Sequence, residues 1–89
     1  MQVIIPTNLR PLTGGADTVD VAATDVAALI EALEAKHPGM KGRLLDEAGK
    51  LRRFVNIYVN GEDVRFLQDQ ATPLKETDEI SIVPAIAGG

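Results

Sequence analysis

Thr18-Val19-Asp20-Val21-Ala22-Ala23-Thr24-Asp25-Val26-Ala27-Ala28-Leu29-Ile30-Glu31-Ala32-Leu33-Glu34-Ala35-Lys36-His37-Pro38-Gly39 changes its hydrophobic period part-way along, and that change decides the fold class. Residues 18–21 alternate polar and apolar side chains, the period-two pattern of a half-buried strand. From Val26 the period lengthens: Val26, Leu29, Ile30 and Leu33 fall at i, i+3, i+4 and i+7, one face of a helix. Thr24 is the expected N-cap, with Asp25 placing an acid in the first turn where the helix dipole favours it. His37-Pro38-Gly39 ends the helix, because proline biases its predecessor away from αR and glycine turns the chain.

Upstream, residues 1–5 are short, β-branched and bounded by Pro6, which reads as a strand. Residues 9–15, with Pro11, Gly14 and Gly15, read as a loop that joins the first two strands into a hairpin. Downstream, residues 40–45 suit one further helical turn and residues 46–50 a polar loop. Residues 54–59 read as a central strand. Asn60-Gly61 is a strong hairpin signal, since a type I′ turn needs φ > 0 at both positions. A short return strand is expected over Val64–Phe66, then a connection of mixed polarity, then a last strand over Glu79–Pro84. A hairpin, one crossing helix and further strands make an α+β roll: one mixed sheet with one main helix on one face, the β-grasp arrangement. Residues 1–84 form this single domain, and residues 85–89 a flexible tail ending in Gly-Gly.

The composition narrows the function. The chain has 89 residues, 9 basic and 13 acidic, for a net charge of −4. That balance argues against tracking of nucleic-acid phosphates or an anionic membrane. There is no cysteine and one histidine, His37, so thiolate and multi-histidine metal sites and cysteine nucleophiles are not available. No apolar run reaches the roughly 18 residues of a membrane span, and the start lacks a signal-peptide pattern. A cytoplasmic protein is the expectation. No Walker motif, nucleophile elbow or His-Glu ligand spacing is present. His37 reads as a helix C-terminal residue and Gly14-Gly15 as a turn. Lys41, Arg43, Arg52 and Arg53 read as a solvated mixed-charge zone, the alternative being a docking patch for an acidic partner.

The tail reads differently. Pro84-Ala85-Ile86-Ala87-Gly88-Gly89 leaves the last strand, keeps Ile86 as an apolar anchor and narrows to glycine at its end. Five residues span at most about 17–18 Å when extended. Glycine passes between close walls because it has no Cβ. Ile86, Ala87 and Gly88 therefore suit threading into another protein's channel, with the Gly89 carboxylate as the reacting group. Strand parity adds a second site. Val55, Ile57 and Val59 are aliphatic and suit the helix-covered face, which leaves Phe54, Asn56 and Tyr58 on the other. With Pro84 at the tail root, these are the expected partner-binding residues, in preference to a face held only by cross-strand pairs.

Three segments carry a family resemblance. They are Ile5-Pro6-Thr7-Asn8-Leu9-Arg10-Pro11 with Thr13-Gly14-Gly15, Arg53-Phe54-Val55-Asn56-Ile57-Tyr58-Val59-Asn60 with Glu62-Asp63-Val64-Arg65-Phe66, and the tail itself. Together they resemble the ubiquitin-like sulfur-carrier family, which includes the small subunit of molybdopterin synthase and the thiamine-pathway sulfur carrier. The resemblance is closest to the cysteine-biosynthesis branch. It implies a carrier rather than an enzyme, with no bound cofactor. An E1-like enzyme would use ATP to adenylate Gly89, and a sulfur donor would convert the acyl-adenylate to a thiocarboxylate. The acceptor would be a pyridoxal-phosphate-dependent cysteine synthase or a synthase of a sulfur-containing metabolite. A JAMM-type zinc metalloprotease would release the product in the cysteine pathway. The alternatives are a ubiquitin-like modifier joined to other proteins through Gly89 and a plain interaction domain.

Overall fold

A computed structural model describes residues 1–84 of the chain. Its strands are β1 (Gln2–Ile4), β2 (Thr18–Asp20), β3 (Val55–Val59), β4 (Glu62–Asp63) and β5 (Glu79–Pro84), and its helices α1 (Val26–Lys36) and α2 (Met40–Leu44). The five strands make one sheet in the order β2-β1-β5-β3-β4. β1 and β5 run parallel, and the other neighbours antiparallel. Mixed sheet and crossing helix together are the β-grasp roll expected from the period change.

Register puts the aliphatic residues in rows. Val19 faces Val3, Val3 faces Ile80, and Ile80 faces Val59, so one buried row crosses four strands. Ile57 faces Ile82 in the next row. Val26, Leu29, Ile30 and Leu33 of α1 and Met40 and Leu44 of α2 close over these rows. Each fully buried aliphatic side chain contributes about 1.5–3 kcal/mol relative to its exposed state.

Several boundaries move for local chemical reasons. Asp25, not Thr24, caps α1, its carboxylate accepting the Ala28 N–H at 2.7 Å. The Thr24 carbonyl is instead taken by the Leu74 N–H at 2.9 Å, tying the helix start to the segment before β5. The expected loop at residues 9–15 is largely a 3-10 helix, Thr7–Thr13, with Pro11 inside it. Proline's fixed φ near −65° lies in the 3-10 range, so Pro11 is accommodated there. Gly14 at φ 68° and the Thr13 hydroxyl, bonded to the Arg10 and Ala16 carbonyls, stop it. Asn60 and Gly61 have φ of 52° and 87°, as the type I′ turn demands. The return strand, however, is Glu62–Asp63, and Val64–Phe66 is a 3-10 turn. The Asp63 carboxylate accepts the Arg65 N–H at 2.9 Å and turns the chain before a longer ladder forms. The central strand is β5, and β3 lies next to the edge strand β4.

Candidate functional site at the end of strand β5

β5 is the longest strand and delivers the chain to Pro84. Gly89, Gly88, Ala87 and Ile86 lie outside the described residues; the residues around Pro84 form the root of the site. β1 ends at Ile4, opposite Ser81, whereas β3 stays paired with β5 as far as Val55 opposite Pro84. Residues Ile82, Val83 and Pro84 therefore have a strand on one side only. On the other side a cleft of about 470 Å³ opens. Leu9, Val55, Ile82 and Pro84 form its apolar wall, and Arg43 and Arg52 line it with Phe54.

The four expected partner-binding residues separate into two pairs. Pro84 shares parity with Ile80 and Ile82, so it belongs to the cleft rather than to the outer face. Phe54 sits one residue before β3, is 49% exposed and also lines the cleft, with the Arg53 guanidinium 5.7 Å from its ring centroid. That distance is a cation–π contact. Asn56 and Tyr58 lie half-buried on the outer face, opposite Val83 and Ser81. The Arg65 guanidinium joins the two groups, donating to Asn56 Oδ1 and to the Arg52 carbonyl, both at 2.6 Å.

Val83, outside the expected set, is exposed beside Asn56 on the outer face, where strand parity along β5 places it. Phe66, 88% exposed, could not have been found that way, because the expected strand around it is a 3-10 turn. Among the described residues no three His, Asp or Glu side chains gather as a metal site. His37 ends α1, its backbone N–H donating to the Leu33 carbonyl at 2.8 Å. The carboxyl held below its ordinary value is Asp78, at the opposite end of β5. The Lys75 N–H lowers it most and the Asn60 amide adds to this. The root offers a one-sided strand end and a cleft with one apolar wall and two guanidinium groups, which suit being held by another protein.

The sequence profile of the ThiS family matches residues 3–89. The chain belongs to the ThiS family. It is 51% identical over 89 residues to the sulfur carrier protein CysO of Mycobacterium tuberculosis, covering 98% of this chain and 96% of that one. Among solved structures it is similar to a chain of the Amycolatopsis orientalis BexX/CysO complex, with TM-score 0.92 and 45% identity. That likeness covers 99% of this chain and 98% of the other. A further relative is small archaeal modifier protein 3 of Haloferax volcanii, 39% identical over 71 residues, or 80% of this chain and 75% of that one. The ThiS-family chain is thus a ubiquitin-like sulfur carrier, a substrate-like protein and not an enzyme. No helix among the described residues is long and apolar enough to cross a membrane.

Proposed function

We propose that Gly89 is the atom-bearing end of the carrier cycle. An E1-like enzyme joins the Gly89 carboxylate to the α-phosphorus of ATP, and pyrophosphate leaves. Hydrosulfide supplied by a sulfur donor then attacks the acyl-adenylate carbonyl, the C–O bond to AMP breaks, AMP leaves, and loss of the S–H proton gives the thiocarboxylate. Activation comes first because a carboxylate is a poor electrophile. Ile86, Ala87 and Gly88 thread the partner's channel, while Phe54 and Pro84 at the cleft and Asn56 and Tyr58 on the outer face contact its surface. The acceptor is a cytoplasmic synthase, pyridoxal-phosphate-dependent in cysteine biosynthesis, with a JAMM-type metalloprotease releasing the product, or a synthase of a sulfur-containing metabolite.

The observation that carries this reading is the 51% identity to a sulfur carrier over 98% of the chain. The family match reaches residue 89, so it includes the terminal Gly-Gly. The Amycolatopsis orientalis complex, in which CysO is found with a second protein, BexX, supports docking onto partners. The archaeal modifier relative favours a second reading, conjugation to other proteins. Intact mass of the chain recovered from cells decides between them. Exchange of one oxygen for sulfur at Gly89 is expected, and a ladder of isopeptide conjugates with unmodified free chain would overturn the carrier cycle.

A further inference from the structure

Every arginine of this acidic chain stands at the end from which β5 departs. Arg43 and Arg52 line the cleft beside Pro84. Arg53 stacks on Phe54, a cleft residue. Arg65 reaches Asn56 and the Arg52 carbonyl, and Arg10 donates to the carbonyl of Ile5, just beyond the end of β1. Arg52 is held by the Gly42 carbonyl at 3.0 Å. Thus Arg10, Arg52 and Arg65 are oriented by neutral oxygens. The ion pairs among the described residues join Met1 to Asp20 and Lys41 to Glu31, and neither uses an arginine. The carboxylates near this end are engaged or peripheral. Asp63 accepts the Arg65 backbone N–H, and Asp17 lies just before β2. Asp46 and Glu47 line a neighbouring depression that shares Gly42 with the cleft, Asp46 accepting the Ala48 and Lys50 N–H groups. The opposite end is acidic, with Asp20, Glu76, Asp78 and Glu79 around a shallow depression. A chain of net charge −4 therefore gathers its five arginines at the end where the tail leaves.

That end has to meet whatever receives the tail. Five residues beyond Pro84 reach at most about 17–18 Å, so a reacting centre deep in a partner forces the partner's channel mouth against the tail root. Guanidinium groups pressed against a neutral, water-excluding mouth would lose hydration without compensation. Planar guanidiniums pair best with carboxylates, often with two parallel hydrogen bonds. We propose that the arginine-rimmed cleft is the docking surface for a carboxylate-bearing rim around the partner's tail channel. This rests on the carrier reading and adds the partner's chemistry to it. The acidic far end is repelled by the same rim, so the charge distribution steers the carrier to approach tail-first.

The test is calorimetric titration of the full chain with Amycolatopsis orientalis BexX as the probe, at about 50 mM and about 500 mM NaCl, a range over which exposed charge pairs are screened. Wild-type affinity should fall by about tenfold or more between the two, as for interfaces with complementary charge. Arg43→Gln, and Arg43→Gln with Arg52→Gln, should weaken binding by about tenfold at the lower salt and flatten the salt dependence. Lys36→Gln with Lys75→Gln removes two charges elsewhere and should leave affinity within about twofold. Arg43→Gln keeps the test valid if loss of the Arg52–Gly42 contact perturbs folding. Arginine variants that bind as wild type, with an unchanged salt slope, overturn the surface. If those variants still gain sulfur at Gly89 in cells, only the docking surface fails. A wild-type chain without that gain refutes the carrier cycle irrespective of its arginines.

Discussion

Asp78 shows how a single side chain closes a fold. Its carboxylate accepts the Lys75 N–H at 2.8 Å and the Asn60 amide at 2.9 Å, while Asn60 Oδ1 accepts the Glu79 N–H at 2.9 Å. The β3–β4 turn is thereby fastened to the start of β5. These donors favour the ionised form and hold its pKa below the ordinary 3.8. A depressed folded-state pKa contributes stability that is present above the ordinary value and is lost as pH falls through the lowered one. Asp78→Asn should therefore be less stable than wild type at pH 7, and the difference should narrow below about pH 4, as urea unfolding at several pH values will show. The fastening of the turn to β5 was not legible in the sequence, because Asn60 lies 18 residues from Asp78 and 19 from Glu79, whereas the Lys75 contact spans only three. The turn conformation was legible, since Asn-Gly is the pair that populates φ > 0 at both positions. The cap was misplaced by one residue because Thr24 and Asp25 are both good N-caps, and the contact of Thr24 with Leu74 is tertiary.

At the scale of elements, β3 divides its side chains between two jobs. Ile57 is fully buried and faces Ile82, whereas Tyr58 is half-buried on the outer face opposite Ser81. Ile57→Ala should cost about 2–5 kcal/mol of stability. Tyr58→Ala should cost less in stability yet weaken binding to a tail-receiving partner by about 1–3 kcal/mol. Denaturant unfolding beside a binding titration checks both, and unchanged affinity would return Tyr58 to a cross-strand packing role. Parity placed Asn56 and Tyr58 correctly because β3 keeps a strict period of two from Val55. It failed for Phe54 because the strand starts at Val55, after a turn in which the Val55 N–H donates to the Arg52 carbonyl at 3.1 Å. Pro84 follows the parity of Ile80 and Ile82 within β5, but the cleft beside it exists only because β1 ends opposite Ser81.

For the whole molecule, the last buried residue of β5 is Ile82. A chain ending at Pro84 should then keep its thermal stability to within about 0.5 kcal/mol, the range usual for changes away from the core. Thermal unfolding of the truncated and full chains tests this, and a larger loss would make the tail part of the fold. The sequence by itself determined the α+β class, the α1 face, the turn at Asn60-Gly61, the span of β5 and the candidacy of Gly89. Each of these rests on local periodicity, a dipeptide's conformational preference or residues adjacent in the chain. Only the tertiary structure decided that β5 is central, that Pro84 and Phe54 share a cleft while Asn56 and Tyr58 do not, and that the arginines converge on the tail root. Those facts depend on the parallel pairing of β1 with β5, between residues more than 70 positions apart, for example Gln2 with Glu79. A long-range pairing leaves no periodic trace in either strand, because each strand's pattern records which face is buried and not which strand lies beside it.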